Sequence, residues 1–428
     1  MWSLLKNKIW QWRSVLITAP SVTAIVFLLR FSGLLQMLEL AALDQLFIRR
    51  LPEKPDNRIV IVKLDEESIA ELGHPISDRN LAQILKNIKQ HQPRAIGLDI
   101  YRDIPVGEGY DALKKVFEST PNLVGVQKLI DSADSSAVDA PPILKKLDRQ
   151  VAANDFPIDV DGKIRRIFFY LSNEEESLFS FSFRLANIYF KDVKKIEADE
   201  LDNGWIKFGK VIFKPFTSND GGYVRAQDEG FQVLINYRGD IEKFQSISIS
   251  DVFHNRVDEK LIRGRIVLIG PTATSLKDLF YTPYTSNLFA TPRRMAGVTI
   301  HANAISQILD AELSNRPIIK TPNQLVEWIW IYFWSLLGAI LIWSFRSSKI
   351  KIIPLSTLFL AVGCLASISY IAFIYGWWIP VVPPMLGIIG STVGVTAYLA
   401  QNASKIRKTF GRYLNDEVVA NLLESREG

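Results

Sequence analysis

The stretch WIWIYFWSLLGAILIWSF, from Trp328 to Phe345, contains no charged residue. Two more apolar stretches follow, from Ile352 to Tyr375 and from Trp378 to Ala400, and a fourth lies near the N-terminus, from about Ser14 to Leu29. A helix needs about 20 apolar residues to cross a bilayer, so each stretch is a candidate membrane span. The sequence therefore predicts one span, a large globular domain, three further spans and a short polar tail.

Basic residues in three short segments predict the orientation of these spans. Positively charged loops stay in the cytoplasm, and with four spans these three segments lie on one side of the membrane. We therefore predict a multi-pass protein of the cell (inner) membrane, with cytoplasmic N- and C-termini and an extracytoplasmic large domain. The segments are the N-terminal tail, the link between the second and third spans, and the C-terminal tail, with Lys6, Lys8 and Arg13, then Arg346, Lys349 and Lys351, then Lys405, Arg407 and Lys408.

The same segments explain the basic pI of 9.0. Together they hold eleven basic and four acidic residues, a net charge of +7, whereas the whole chain carries +5. The rest of the chain is thus close to neutral, at about −2. A nucleic-acid partner would need a basic patch on a soluble face, and we expect none.

The N-terminal apolar stretch, from about Ser14 to Leu29, has two interpretations, an uncleaved anchor or a cleaved signal peptide. A basic beginning followed by an apolar core suits both. However, the apolar character continues past Arg30 without a small-x-small cleavage site, which favours the anchor. The single cysteine, Cys364, lies within the apolar stretch from Ile352 to Tyr375, so the large domain is expected to be stable without a disulfide.

The large domain is predicted to be α/β with a mainly parallel sheet. Apolar, β-branched runs indicate buried strands, and apolar residues at helical spacing indicate helices between them. The first strand, a helix capped by Ser77 and the second strand make a βαβ unit and imply a parallel pair. The predicted strands are Arg58–Asp65, Arg94–Ile100, Asn122–Leu129 and Gly264–Gly270, and the helices are 77–90, Asp111–Glu118, Ser180–Phe190 and Val298–Leu309.

Several separated blocks of this domain resemble, in order, the CHASE type 2 sensory domains of bacterial receptors. The resemblance covers about residues 38–320 and implies an extracellular sensor with one anchoring helix before it and three after it. It is carried by the blocks LELAALDQLFIRRLPEKPDNRIVIVKLDEESIAELG, PRAIGLDI, DVDGKIRR, INYRG, ISISDVF, LIRGRIVLIGPTATSLKDLFYTP and GVTIHANAISQIL.

The tail KIRKTFGRYLNDEVVANLLESREG resembles the segment that joins such receptors to a class III adenylate/guanylate cyclase. The resemblance implies that a catalytic domain would follow Gly428, and no position of this chain matches a catalytic residue of that domain. Whether the chain belongs to an enzyme is therefore open. The predicted segments are a cytoplasmic tail at 1–13, an anchor at 14–35, a sensory domain at 38–320, spans at 326–345, 352–375 and 378–400, and a cytoplasmic linker at 401–428.

Other chemistries find little support in the residues. The four histidines do not stand at metal-ligand spacing, and aligning DVDG at Asp159–Gly162 with a calcium loop puts Phe168 where a bidentate Glu belongs. LIGPTAT lacks the lysine of a P-loop, and no G-x-S-x-G elbow occurs, although a Ser-His-Asp triad remains open. We expect no metal, no cofactor and no catalytic residue in this chain.

Six acids are the candidate ligand-binding residues. If the sheet is parallel, acids that follow its strands lie at the carboxyl edge, where ligands of open α/β sheets bind. The alternative is that they cap helices and close loops, and we expect His301 to be a packing or capping residue. The six are Asp65, Glu66, Glu67, Asp99, Asp103 and Asp278.

The fourth span contains a possible helix-packing motif, Gly387, Gly390 and Gly394, the last two forming G-x-x-x-G. Small residues one turn apart let membrane helices approach closely. The motif either joins two chains in a homodimer or packs the span within one chain. Both fit a receptor that binds an unknown extracytoplasmic ligand and relays the signal to a cytoplasmic effector. The alternative function is a stand-alone membrane sensor or scaffold that pairs with another membrane protein. Transport is disfavoured because we expect no buried ionisable residue in the spans beyond Arg30, which lies near an end.

Overall fold

The computed structural model describes residues 12–131, 136–147, 149–286, 293–347 and 352–410. They form two compact units. The sheet unit comprises residues 47–217 and 227–319, and the helical unit comprises residues 12–46, 218–226 and 320–410. Predictions for most of the basic N-terminal tail, for Lys349 and Lys351 and for the tail beyond Phe410 lie outside the described residues.

The helices and strands are numbered in chain order. The helices are α1 (Arg13–Phe31), α2 (Gln36–Arg49), α3 (Glu66–Leu72), α4 (Asp78–Gln90), α5 (Tyr110–Glu118), α6 (Phe181–Lys194), α7 (Ile249–Phe253), α8 (Glu259–Ile262), α9 (Gly297–Leu313), α10 (Gln324–Ser344), α11 (Ile352–Ile374) and α12 (Val382–Phe410). The strands are β1 (Asp56–Leu64), β2 (Ala95–Leu98), β3 (Leu123–Gln127), β4 (Val151–Ala153), β5 (Arg166–Ser172), β6 (Ser177–Phe179), β7 (Ala198–Glu200), β8 (Ile206–Phe208), β9 (Val211–Phe213), β10 (Phe231–Leu234), β11 (Phe244–Ser248), β12 (Ile266–Pro271), β13 (Leu279–Phe280) and β14 (Met295–Ala296).

The main sheet of the sheet unit has six parallel strands in the order β11-β1-β12-β2-β3-β4. This confirms the predicted α/β class with a mainly parallel sheet. The direct pairing predicted for β1 and β2 is wrong, because β12 lies between them. Its apolar run Ile266–Ile269 is fully buried between two neighbours, a long-range pairing that local periodicity does not reveal.

Helices cover both faces of this sheet. On one face, Ile96 and Leu98 of β2 pack with the apolar sides of α4 and α5. On the other, a side-chain Cβ at Gly97 would lie 2.5 Å from Phe181 of α6, so glycine lets that helix approach β2. The predicted Ser77 cap of α4 is confirmed, since its hydroxyl accepts a hydrogen bond from the Asn80 N–H at 3.3 Å.

Three small antiparallel sheets complete the sheet unit. They are β10-β5-β6, β7-β8-β9 and the pair β13-β14. The predicted helix at Ser180–Phe190 is confirmed as α6, which begins one residue later because Ser180 is its N-cap and accepts from the Phe183 N–H at 3.2 Å. Short strands and turns follow it, as predicted.

Within its described residues, the helical unit contains four helices long and apolar enough to cross a membrane: α1, α10, α11 and the Val382–Lys408 part of α12. The predicted anchor is longer than the observed helix. α1 ends at Phe31, and Gly33 adopts a left-handed φ of 86° in the turn before α2. The fourth apolar helix starts at Val382 rather than Trp378, with Pro383 in its first turn, where a missing N–H costs nothing.

The predicted helix-packing glycines of α12 face other helices of the same chain. A Cβ at Gly387 would collide with Ser335 Oγ on α10. One at Gly390 would meet Val22, and one at Gly394 would meet Thr18, both on α1. These contacts correspond to the second packing alternative, in which the glycines pack the fourth span against other helices of one chain.

Candidate functional site

Two of the six predicted acids meet at the carboxyl edge of the main sheet. Asp99 follows β2 directly, and its side chain is buried, with 7% of the residue exposed. Burial raises the pKa of Asp99, and the negative charge of the neighbouring Asp278 raises it further. Burial and the charge of Asp278 both favour the protonated, neutral form of the Asp99 carboxyl group. We call Asp99 and Asp278 the acid pair.

Gly297 at the start of α9 lets Asp278 reach this position. The Gly297 N–H donates to the main-chain carbonyl oxygen of Asp278 at 3.2 Å, and a Cβ at residue 297 would lie only 2.8 Å from Asp278 Oδ2. The carboxyl group thus lies at the N-terminus of a 17-residue helix, where the helix dipole favours negative charge. Burial raises the pKa of Asp278, and hydrogen bonding from Gly297 opposes that rise. Of the two acids, Asp99 is therefore the one that is protonated more readily.

Two neighbouring polar side chains extend the acid pair outward. Asn154, directly after β4, donates through Nδ2 to Asp99 Oδ1 at 3.2 Å. Its Oδ1 accepts from the Tyr101 hydroxyl at 3.1 Å. Tyr101 is 38% exposed. Its partial burial raises the pKa of its phenol, so the hydroxyl group stays protonated and donates the hydrogen bond. The chain Tyr101–Asn154–Asp99 links solvent to a buried carboxyl group.

The other four predicted acids do not join this cluster. Asp65 caps α3, accepting from the Ser68 N–H at 3.1 Å and from the Ser68 hydroxyl at 2.6 Å. Glu66 accepts from the Ser275 N–H and hydroxyl at 3.0 and 2.8 Å, and these bonds lower its pKa.

Among the described residues, neither Glu67 nor Asp103 makes a hydrogen bond or an ion pair with the acid pair. Glu67 is exposed in the first turn of α3, and Asp103 stands near the guanidinium of Arg102. Within the part of the chain that the structure describes, no three His, Cys, Asp or Glu side chains are placed to hold a metal ion.

Three members of this site were not predicted: Tyr101, Asn154 and Gly297. Asn154 had a recognisable signal, because a polar residue directly after the short buried strand VAA repeats the pattern of Asp99 after β2. Gly297 had none, because only the fold shows that the carboxyl group of Asp278 lies against it.

His301 has the packing role expected for it. Its Nδ1 lies 2.9 Å from the Ser182 hydroxyl, and its ring centroid lies 4.5 Å from that of Phe156, with the two ring planes tilted by 31°. Burial lowers the pKa of His301 to about 3, so the ring is neutral at physiological pH.

The DVDG segment forms a tight turn, in agreement with the sequence argument against a calcium loop. The Gly162 N–H donates to the Asp159 carbonyl at 2.8 Å. The Asp159 carboxylate then holds Arg165 and Arg166, each at 2.8 Å, and all three side chains are buried. The DVDGKIRR block is therefore a buried ion-pair network at the start of β5.

A six-stranded parallel sheet with an acidic carboxyl edge, together with four long apolar helices, defines a membrane-associated α/β domain protein. The model of one family, the CHASE2 domain, matches residues 21–340. The chain belongs to the CHASE2 domain family, whose members are extracellular sensory domains. No curated protein matches the chain. No solved structure matches it either.

Proposed function

We propose that this protein is a transmembrane sensor whose sheet unit receives an extracytoplasmic stimulus and whose apolar helices relay it to a cytoplasmic effector. The observation that carries this proposal is the CHASE2 domain on one chain with four helices of membrane-spanning length. One of these helices precedes the sheet unit and three follow it.

The distribution of basic residues supports an extracytoplasmic sheet unit. Arg13 begins α1, and Arg346 is the second residue after the end of α10. Arg407 and Lys408 lie in the last turn of α12. With four spans these ends all belong to one side, and basic ends remain in the cytoplasm. Both termini are then cytoplasmic, in the inner membrane of a bacterial cell.

The effector we propose is a nucleotide cyclase. α12 continues as a helix from its apolar part through Lys405 to Phe410, which suits a rigid connection to a following domain. The resemblance of the tail to a cyclase linker points the same way, and class III cyclases build their active sites between two subunits. The protein would then act as a homodimer. The alternative is a sensor or scaffold that pairs with another membrane protein.

The acid pair is the input site we propose within the sheet unit. Asp99 is buried at the edge where open α/β sheets bind ligands, and Tyr101 connects it to solvent. Ionisation of the pair, or capture of a cation by it, changes the charge beside the N-terminus of α9. Helix α9 packs along β1 and β12, so a shift there reaches the centre of the sheet.

A chimeric receptor tests the relay. A class III cyclase catalytic domain is fused after Gly428, and cyclic nucleotide is measured in cells held at external pH values from 5.5 to 8. We expect Asp99→Asn to alter output at least threefold. The matched control, Glu67→Gln, removes an exposed acid of the same edge and should leave output unchanged. Equal output from all three proteins at every pH would contradict the proposal, and crosslinking to a different membrane protein would favour the alternative.

A further inference from the structure

A short loop leaves the sheet unit and belongs to the helical unit. Residues 218–226 connect β9 to β10, yet they group with the helical unit, whereas Thr217 and Gln227 on either side group with the sheet unit. The two ends of the loop are held together, because the Ala226 N–H donates to the Ser218 carbonyl oxygen at 3.0 Å. We call residues 218–226 the insertion loop. The chain therefore passes from one unit to the other here as well as at residues 46–47 and 319–320.

The tip of the insertion loop is buried. Tyr223 is 1% exposed, and its ring meets that of Trp378 edge-on, with the centroids 5.7 Å apart. Gly221 has a left-handed φ of 56°, and a Cβ there would collide with the Trp378 ring. A Cβ at Gly222 would lie 2.5 Å from Cγ of Glu39. The two glycines thus let the loop backbone approach side chains of the helical unit more closely than residues with a Cβ could.

The backbone of the insertion loop is a partner of a buried charge. The Gly221 carbonyl oxygen accepts a hydrogen bond from Arg30 Nη2 at 2.6 Å, and the same guanidinium pairs with Glu327 in the first turn of α10. Arg30 is 7% exposed and Glu327 is 2% exposed. The expectation that Arg30 is the single buried ionisable residue of the spans is therefore wrong. Because a buried charge is costly unless it is hydrogen-bonded, displacement of the loop would leave Arg30 with one partner fewer.

The base of the insertion loop is fixed by a buried arginine of the sheet unit. The Arg166 guanidinium lies over the Phe216 ring, 4.7 Å from its centroid, and its Nη1 donates to the Gln227 carbonyl oxygen at 2.7 Å. Phe216 lies two residues before the loop, and Gln227 directly follows it. Arg166 is itself held by Asp159 at 2.8 Å. The ion-pair network of the DVDGKIRR block therefore holds both ends of the insertion loop.

We propose that the insertion loop is a relay element that transmits changes in the sheet unit to the helical unit. A shift at its base alters how Gly221 and Gly222 lie against Arg30 and Glu39. Glu39 accepts a hydrogen bond from the Val382 N–H at the start of α12 at 2.8 Å, so the shift reaches the ends of α1 and α12. This inference deepens the proposed function and rests on it for the meaning of the coupling as a signal.

Amide hydrogen exchange of the full chain in lipid nanodiscs, followed by mass spectrometry, tests the coupling from base to tip. Phe216→Ala removes the ring beneath Arg166 and changes no residue of the insertion loop or of the helical unit. We expect exchange to become about fivefold faster or more in peptides that contain Val381 and Val382, whose N–H groups donate to Glu39.

Two references separate this coupling from a general loss of stability. Peptides from the buried strand β12 report unfolding of the sheet unit and should exchange as in the wild type. The matched control Phe208→Ala removes another buried ring, which packs against Phe183 and Phe190, and should leave exchange at Val381 and Val382 unchanged.

The reverse direction is tested at the tip, because coupling between two sites is reciprocal. Gly222→Ala adds a methyl group against Glu39 and should speed exchange of the Phe216 amide, which donates to the Gln232 carbonyl oxygen at 2.8 Å. The matched control Gly363→Ala adds the same methyl group in α11, where nothing lies within 4 Å, and should exchange like the wild type.

Three results would overturn the proposal. They are unchanged exchange at Val381 and Val382 in Phe216→Ala, equal acceleration there in Phe208→Ala, and an unaffected Phe216 amide in Gly222→Ala. The exchange experiment needs no effector and no external stimulus. Its failure is therefore distinguishable from failure of the proposed function, which the cyclase fusion tests separately.

Discussion

The carboxylate of Glu39 accepts hydrogen bonds from the first N–H groups of α12, with Oε2 2.8 Å from the Val382 nitrogen. The Val381 N–H donates to the same carboxylate at 3.0 Å, and Glu39 is 1% exposed. Helix starts leave N–H groups without partners, and a carboxylate satisfies them and complements the helix dipole. A residue of α2 therefore caps a helix more than three hundred positions later in the chain.

The first prediction concerns this cap. Glu39→Ala removes the acceptor and should lower the stability of the helical unit by roughly 1–2 kcal/mol, as for other lost N-caps. Glu39→Gln keeps one acceptor oxygen and should lose less. Thermal unfolding of the full chain in detergent, followed by circular dichroism, measures both. Equal Tm values for the wild type and Glu39→Ala would show that the cap is energetically silent.

The second prediction concerns pH. The folded-state pKa of Asp99 is raised above the value near 3.9 expected for the unfolded chain. Between these two pKa values the folded protein therefore binds a proton that the unfolded chain does not bind. The stabilising contribution of this proton is complete below the unfolded-chain pKa and is lost as the pH rises through the folded-state pKa. Asp99→Asn should therefore flatten the fall in Tm between about pH 5 and 8 and stabilise the protein at the upper end by roughly 1–3 kcal/mol. An unchanged slope in the variant would mean that Asp99 is ionised throughout.

The third prediction concerns Gly297. A methyl group at this position would lie 2.8 Å from Asp278 Oδ2, so Gly297→Ala should destabilise the sheet unit by roughly 1–3 kcal/mol. The double variant Gly297→Ala/Asp278→Ala removes the clash and should cost less than the sum of the two single variants, measured by denaturant unfolding. If the losses of stability in the two single variants simply add in the double variant, the destabilisation by Gly297→Ala does not arise from contact with Asp278.

The fourth prediction concerns the glycines of α12. Gly390→Ile and Gly394→Ile should reduce the yield of folded protein, because these positions face Val22 and Thr18 of α1. Gly363→Ile in α11 is the matched control, since a side chain there meets nothing within 4 Å. Folded fraction is measured by size-exclusion chromatography, and self-association by crosslinking. Normal folding with lost crosslinking would instead make this face a seam between two chains.

The fifth prediction concerns topology. A reporter fused after Gly428 should be cytoplasmic, and one inserted between Asp131 and Pro142 should be extracytoplasmic. Alkaline phosphatase and green fluorescent protein report the two sides. Both reporters on one side would contradict the four-span arrangement.

The fold was largely predictable because the apolar spacing that marks its strands and helices is visible in short stretches of the sequence. β1 and α4 are apolar at the spacing of a strand and a helix, and Ser77 marks a helix start. The position of β12 between β1 and β2 was not predictable, because strand order depends on contacts between distant segments.

The candidate site was predictable only in outline. The carboxyl-edge argument included Asp99 and Asp278 but could not separate them from Asp65 and Glu66, whose hydrogen bonds are local. An acid after a strand looks the same in sequence whether it caps a helix or faces a second acid.

The fit of Thr18 and Val22 of α1 against the glycines of α12 has a consequence for biogenesis. In the proposed four-span arrangement, α1 enters the bilayer roughly 15–60 s before α10 is complete, at ordinary elongation rates of about 5–20 residues per second. Throughout that interval the small-residue face that α1 will fill does not yet exist. The first helix therefore waits in lipid as a single span, and the bundle can close only after the last helix has been made.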